Sequence, residues 1–230
     1  MPKRSILVWD LPIRLFHWSL LVLVVAAFVS GQLGGNLIVW HGRCGLAIAG
    51  LLVFRLLWGV FGSTHARFAS FVPGPQRLLA YVRGQWQGVG HNPLGALSVL
   101  GLLAVLALQT TSGLFANDDI AFEGPLAALV SKELSDWLSG LHRQNVVVLI
   151  ALVVLHIAAI LFYARVKQDN LVKPMITGYK DVSDPGLQPA RGGGLPAFVC
   201  AVLIAAAAVW VAGGGLLSPP PPPPAVTPAW

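Results

Sequence analysis

The sequence predicts an all-α fold, an integral membrane four-helix bundle with a fifth transmembrane helix near its C-terminus. Hydrophobic residues make up 56% of the 230 residues and charged residues only 10%, whereas about a quarter of an average soluble domain is charged. The mean hydropathy is +0.73. Five apolar runs approach the ~20 residues that a helix needs to cross the hydrocarbon core of a bilayer. These observations exclude an ordinary soluble enzyme and a largely disordered chain.

Each run is expected to be a helix, because uninterrupted apolar segments of this length form helices rather than strands. The spans are expected at about residues 12–32, 38–60, 93–115, 141–164 and 195–217. Asp10 stands directly before Leu11 and Pro12, which is typical of an N-cap followed by a first-turn proline. Residues 31–36 are rich in glycine and predict a tight connection to the second span.

The chain divides into a membrane domain and a C-terminal extension. Residues 1–180 hold the first four spans, residues 181–194 form a Gly-rich linker, and residues 195–217 form the additional span. The Pro-rich tail at 218–230 is typical of polyproline II. Between the third and fourth spans, residues 124–140 show apolar side chains at helical spacing. They predict a short helix that either lies on the membrane surface or packs on the bundle.

Charged residues alternate between the two sides of the predicted spans. The 116–140 loop carries Asp118, Asp119, Glu123, Glu133 and Asp136 against a single Lys132. The N-terminus, the 63–90 loop and the segment after the fourth span are basic instead, with Lys3, Arg4, Arg14, Arg67, Arg77, Arg83, Arg165, Lys167, Lys173, Lys180 and Arg191. Since Lys and Arg collect in cytoplasmic loops, the N-terminus is expected inside and the C-terminus outside. The net charge of +6 therefore reflects topology and contact with membrane lipid, and no nucleic-acid partner is expected.

Four of the six histidines fall in or at the ends of spans, where ionisable groups are costly and usually functional. His142 and His156 are 14 residues apart on one predicted helix, a rise of ~21 Å and nearly four turns. They share one face at opposite depths. His17 matches the depth of His156, and His41 matches that of His142. The spacing therefore predicts two histidine pairs, one above the other.

Two facing histidines from different helices suit one cofactor better than others. Zinc usually takes four protein ligands in tetrahedral order, which two imidazoles do not supply. Haem iron takes two axial ligands on opposite faces of a flat macrocycle, and bundle cores hold such groups between helices. A proton relay is the competing interpretation, but it would normally include buried Asp or Glu, and the spans contain none. Two stacked haems would carry electrons across the membrane.

Other residues support this interpretation. Small residues of the second span would let a planar group approach the helix or would serve simple helix–helix packing, and they are Gly42, Gly45, Ala47, Ala49 and Gly50. Four arginines could pair with haem propionates or anchor the membrane interface, and they are Arg14, Arg43, Arg55 and Arg143. His65 and His91 are expected at the surface or in helix-capping positions, with a quinone site as the alternative role for His91. Cys44 and Cys200 begin spans from opposite sides and are expected to be unpaired.

The ordered motifs resemble the bacterial cytochrome b561 family, which includes b-type cytochrome subunits of nickel–iron hydrogenases. The motifs run from WDLPIRLFHW at 9–18 through HG at 41–42, RLLWG at 55–59, GHNPLG at 90–95 and TSGLF at 111–115 to His142 and His156. The resemblance covers about residues 6–180. It implies two haem b groups in a bacterial inner-membrane protein with a periplasmic outer face. By motif position, His17 and His156 would ligate the inner haem, and His41 and His142 the outer haem.

The resemblance also implies a function, electron transfer between the quinone/quinol pool and a redox partner. The partner would be a c-type cytochrome or a hydrogenase-like enzyme on the outer face, where the acidic loop could steer it. An electron-transfer subunit fits these features better than a stand-alone enzyme. Two alternatives stay open: a superoxide:quinone oxidoreductase with a cationic funnel at Arg43 and Arg143, and a non-redox membrane scaffold.

Overall fold

The computed structural model describes residues 3–120 and 122–217. In chain order the elements are β1 (Arg4–Leu7), α1 (Leu11–Leu33), α2 (Ile38–Phe61), α3 (Phe68–Phe71), α4 (Pro75–Val82), α5 (Pro93–Leu114), α6 (Lys132–Arg165), α7 (Val172–Thr177), β2 (Tyr179–Val182) and α8 (Gly194–Ala212). Short 3₁₀ turns lie at Gly35–Leu37 and Ala127–Leu129. Five helices, α1, α2, α5, α6 and α8, are long and apolar enough to cross a membrane. The predicted helical membrane bundle is therefore confirmed.

The long helices pack in a simple order. α2 contacts α1, α5 and α8, while α6 packs along α5. One end of the bundle holds the starts of α1, α5 and α8 and the ends of α2 and α6; we call it the basic end, after its arginines and lysines. The other holds the loop between α5 and α6 and is called the acidic end. This order places the interior of the four-helix core between α1, α2, α5 and α6.

Local sequence signals set the helix starts. Asn92 caps α5 by accepting a hydrogen bond from the Gly95 N–H at 2.8 Å, with Pro93 in the first turn. Ser131 caps α6 in the same way. Such caps satisfy backbone donors that the first helical turn leaves free. α1 ends where Gly34 takes a positive φ of 63°, which a glycine adopts without steric cost.

Asp10 fixes the start of α1 and also ties α1 to α2. Its Oδ1 accepts from the Ile13 N–H at 3.0 Å, as the sequence predicts, and its Oδ2 accepts from Trp58 Nε1 at 2.9 Å. Trp58 is only 2% exposed, so its indole N–H has no access to water in place of this carboxylate. One side chain therefore links the first and second helices at the basic end.

Replacing Asp10 with alanine should lower the free energy of unfolding by about 2–3 kcal/mol, from a lost cap and an unsatisfied buried indole N–H. Asp10→Asn should lower the free energy of unfolding by roughly half as much. Its amide oxygen can still accept from the Ile13 N–H, but its NH₂ group cannot accept from the Trp58 indole. Thermal unfolding in detergent, followed by circular dichroism, measures both. Equal unfolding temperatures for the wild type and Asp10→Ala would contradict the dual role.

The loop between α5 and α6 differs from the prediction. A separate short helix was expected over 124–140, but residues from Lys132 onward belong to one continuous helix of 34 residues. No proline interrupts this stretch, and Gly140 alone does not break a helix. His142 therefore lies ten residues inside α6 rather than at its start.

The basic end holds structure that the sequence did not predict. β1 and β2 pair antiparallel, with Arg4 opposite Val182 and Leu7 opposite Tyr179. The predicted linker is tied down as well, because the Ala190 N–H donates to the Leu7 carbonyl at 2.7 Å. This ribbon covers the starts of α1 and α8. The predicted polyproline tail at 218–230 lies outside the described residues.

Candidate cofactor site

Two histidines meet inside the bundle near the acidic end. His41 extends from the first turn of α2 and His142 from α6, and their ring centroids are 5.8 Å apart with planes at 84°. That separation leaves room for one metal ion between two ring nitrogens, with metal–nitrogen bonds of about 2 Å. The structure thus brings together one of the two predicted pairs.

Both rings are held through Nδ1. His41 Nδ1 lies 2.8 Å from the carbonyl of Ala27 on α1, and His142 Nδ1 lies 2.9 Å from the carbonyl of Gln109 on α5. A carbonyl only accepts, so each Nδ1 carries the proton and each Nε2 keeps a lone pair. Histidine ligands of metals are commonly oriented by this kind of hydrogen bond.

Two glycines make room for these rings. A Cβ built on Gly31 would lie 2.7 Å from Nδ1 of His41, and one built on Gly113 would lie 2.9 Å from Cε1 of His142. Any larger residue would push the imidazole away from its carbonyl. Neither glycine was singled out as a site residue from the sequence, although Gly113 belongs to the TSGLF motif.

A buried polar network supports His142. Asn145, which is 5% exposed, donates to the side-chain oxygen of Gln109 at 2.7 Å and to the Val105 carbonyl at 3.0 Å. Gln109 Nε2 in turn donates to the His142 carbonyl at 3.1 Å. Asn145 and Gln109 were not among the predicted site residues. They could have been identified from the sequence, because uncharged polar side chains inside apolar spans need hydrogen-bond partners.

The second predicted pair lies toward the basic end. His17 on α1 and His156 on α6 are within electrostatic range of each other, and His17 Nδ1 is buried without a hydrogen-bond partner among the described residues. His17 also contacts the ring of Trp18 edge-on, at 5.1 Å between centroids. An orphaned buried imidazole nitrogen is costly unless something binds it, and this one fits a missing ligand.

His91 is not the surface residue that the sequence predicts. Its ring lies 4.6 Å from the rings of both Trp9 and Phe71, and its Nδ1 is fully buried without a partner among the described residues. Burial lowers the pKa of His91 to about 3, helped by the nearby charges of Arg55, His65 and His156. The imidazole is therefore neutral at physiological pH.

The four predicted arginines have different environments. Arg55 is 2% exposed, lies over the rings of Phe68 at 4.7 Å and Phe71 at 5.8 Å, and has no partner at Nη1 among the described residues. A buried guanidinium without a full set of acceptors suits a carboxylate ligand. Arg14 instead donates to the Ile176 carbonyl on α7, although its Nε is also buried without a partner.

The two predicted arginines at the acidic end, Arg43 and Arg143, are both exposed. Arg43 stacks on Trp40 at 4.9 Å, which suits interfacial anchoring.

The small residues of α2 divide into two sets. A Cβ on Gly50 would lie 2.5 Å from Val209 of α8, so this glycine serves helix packing, whereas Gly45 has open space around it. Phe122 of the acidic-end loop covers Gly42, with its ring 3.1 Å from the position of a Cβ. Of these three glycines, Gly45 is the one with room for a bulky group among the described residues.

These residues fit a haem better than a metal ion alone. Within residues 3–120 and 122–217, no group of three or more His, Cys, Asp or Glu side chains is placed to hold a metal ion. His41 and His142 face each other from different helices, and bis-histidine haem needs two axial nitrogens. Cys44 and Cys200 are unpaired, as expected. Fold and site together define a multi-pass membrane cytochrome of b type.

The chain belongs to the prokaryotic cytochrome b561 family, whose model matches residues 8–178. Haem b is the cofactor that this membership implies. The resemblance inferred from the motifs is thereby confirmed.

Curated relatives carry consistent names. The probable Ni/Fe-hydrogenase 1 B-type cytochrome subunit of Escherichia coli K12 is 23% identical, over 75% of this chain and 89% of that protein. The probable Ni/Fe-hydrogenase B-type cytochrome subunits of Rhizobium leguminosarum bv. viciae and Azotobacter vinelandii are each 24% identical over 79% of this chain, covering 92% and 91% of those proteins. No solved structure matches the chain significantly.

Proposed function

We propose that this protein carries electrons between the quinone/quinol pool and a redox partner on the outer face of the bacterial inner membrane. It would hold two haem b groups, with the basic end in the cytoplasm and the acidic end in the periplasm. The observation that carries the proposal is the His41–His142 pair, oriented through Nδ1, with no hydrogen bond to either Nε2 among the described residues. The His17–His156 pair about 21 Å further along α6 supports a second group.

Haem iron in such a site supplies one-electron transfer without an open coordination position. The protein would supply the axial ligands, a partner for a propionate and an apolar environment. His41 and His142 would hold the outer group, and His17 and His156 the inner group. Arg55 would bind an inner propionate, since its buried guanidinium lacks a full set of partners. The apolar walls of the bundle exclude water from both levels.

The quinone headgroup has a candidate position at the basic end. A cavity of about 330 Å³ is lined by His65, His91, Arg77 and Trp86, among others. His91 is neutral and lies within electrostatic range of His156, which supports a quinone position close to the inner pair. Oxidation of one quinol releases two electrons and two protons, and an uncharged imidazole can accept a hydrogen bond from a quinol hydroxyl.

Relatives guide the choice of partner. Several are named as hydrogenase cytochrome subunits, so a hydrogenase-like enzyme is the partner class we propose, with a c-type cytochrome as the alternative. The loop at the acidic end carries five acids against Lys132, and this surface would attract a basic patch on the partner.

Haem content and quinol reactivity test this function together. Purified protein should contain about two haem b per chain by pyridine haemochrome, and a menaquinol or ubiquinol analogue should reduce both. Protein without a Soret band would refute the proposal and favour a scaffold. Rapid reduction by superoxide with no partner present would favour the superoxide:quinone oxidoreductase.

Partner docking should depend on Glu123 and Glu133 more clearly than on their acidic neighbours. Asp118 accepts from the Ile120 and Phe122 N–H groups, and Asp119 and Asp136 pair with Lys132. Mutating these aspartates would disturb the loop itself. The double variant Glu123→Gln/Glu133→Gln should slow electron exchange with the partner several-fold at low salt and flatten its salt dependence.

Stopped-flow rates measured over roughly 20 to 300 mM salt report this effect. Arg83→Gln/Lys167→Gln removes two exposed charges from the basic end instead, and this control should leave the rate and its salt dependence unchanged. An unchanged salt dependence in the double glutamate variant would exclude docking on this loop.

A further inference from the structure

A second cavity lies on the lipid-facing side of the bundle, away from the histidines. It encloses about 340 Å³ between the starts of α1 and α8 and the end of α2. Leu11, Leu15 and Leu195 line it and are 56%, 53% and 72% exposed, and Phe198 completes the wall. The cavity is therefore apolar and bordered by side chains that face the hydrocarbon of the bilayer.

The polar groups in its wall are already satisfied. Asp10 is the one carboxylate in the described lining, and its two oxygens accept from the Ile13 backbone and the Trp58 indole. A further polar or charged ligand inside the cavity would find no free partner there. The interior suits an acyl chain.

The rim of the cavity at the basic end has the opposite character. Gly192 lines the cavity, and a Cβ built on it would lie 3.8 Å from Nη2 of Arg67. Arg191 precedes Gly192, and its backbone is fixed by Thr64, whose N–H donates to the Arg191 carbonyl at 2.8 Å. Both arginines are exposed, and neither guanidinium has a hydrogen bond or ion pair with any described residue. The Arg67 guanidinium thus borders an apolar cavity at one end of the bundle, and the exposed Arg191 is the chain neighbour of the lining residue Gly192.

We infer that this cavity binds an anionic phospholipid, with one acyl chain between α1 and α8 and the phosphate against Arg67 and Arg191. Basic pockets between transmembrane helices recognise such headgroups. The site would fasten the fifth helix to the core, because its apolar wall comes from α1 and α8 and the Arg191 rim leads directly into α8. This gives the additional helix a role in lipid binding that does not depend on either haem.

Native mass spectrometry of the full chain tests the inference. The purified protein is exchanged into detergent with equal amounts of dioleoyl phosphatidylglycerol and dioleoyl phosphatidylcholine. We expect one phosphatidylglycerol to remain bound per chain, with a preference of about tenfold or more over phosphatidylcholine. The double variant Arg67→Gln/Arg191→Gln should lose that roughly tenfold preference, because it removes the two charges that would attract the lipid phosphate.

Two further variants make the result decisive. Arg83→Gln/Lys167→Gln removes the same charge from exposed residues of the basic end outside the cavity lining, and it should keep the preference. Leu195→Trp fills the cavity and should reduce retention of the lipid while circular dichroism shows an intact helical fold. Equal retention of both lipids by the wild type, equal losses in the two charge variants, or full retention in Leu195→Trp would each overturn the proposal.

Discussion

Replacing His156 with alanine is expected to remove the inner haem and leave the outer haem in place. His156 is half-buried on α6 and lies within electrostatic range of His17, whose buried Nδ1 has no partner among the described residues. An alanine leaves a single imidazole at this level, and low-spin bis-histidine ligation is then impossible. Haem content should fall from about two to about one per chain, and redox titration should show one transition instead of two.

The matched variant is His142→Ala, because His142 lies on the same helix as His156. His142→Ala should remove the other haem, so the two variants should retain different redox transitions and different α-band maxima. His65→Ala is the control, because its ring contacts the Gln188 carbonyl at the protein surface rather than either pair. Loss of the same transition in both α6 variants, or two unperturbed low-spin haems in His156→Ala, would refute the pairing.

Helix arithmetic could predict which residues come close together. Fourteen residues between His142 and His156 give almost four turns, so both rings had to share a face whatever helix lay opposite. The caps at Asp10 and Asn92 were equally local, since a short polar side chain before a proline fixes a helix start without tertiary contacts. Such features depend only on residues that are close together in the chain, and for this reason they can be predicted from the sequence.

Features that depend on the opposing helix could not be predicted in this way. The carbonyl of Ala27 orients His41 only because α1 and α2 pack at a particular rotation, and no residue type marks a carbonyl acceptor. Gly50 and Gly31 look alike in the sequence, yet one contacts Val209 of α8 and the other the His41 ring. Likewise, Arg4 of β1 pairs with Val182 of β2, although more than 170 residues separate them in the chain. Distinguishing these roles requires knowing which neighbour each helix face meets.

The glycine beside each outer histidine leads to a second expectation with a large effect. Gly113→Ala should abolish outer haem binding without unfolding the protein. The new Cβ would lie 2.9 Å from Cε1 and 3.2 Å from Nδ1 of His142, so the ring must leave its hydrogen bond with the Gln109 carbonyl. Alanine meanwhile favours the helix by roughly 1 kcal/mol over glycine. Helix stability is thus expected to rise while binding of the outer haem falls.

Gly101 provides the matched control, since it lies on the same helix and a Cβ there would meet nothing within 4 Å. Gly101→Ala should gain the same helix propensity and keep both haems. Gly31→Ala should reproduce the Gly113 result from the opposite side, because its Cβ would lie 2.7 Å from Nδ1 of His41. Haem content and redox titration measure all three variants. A full outer-haem signal in Gly113→Ala would show that His142 does not need its carbonyl anchor to bind, and the site would then be set by the imidazole pair alone.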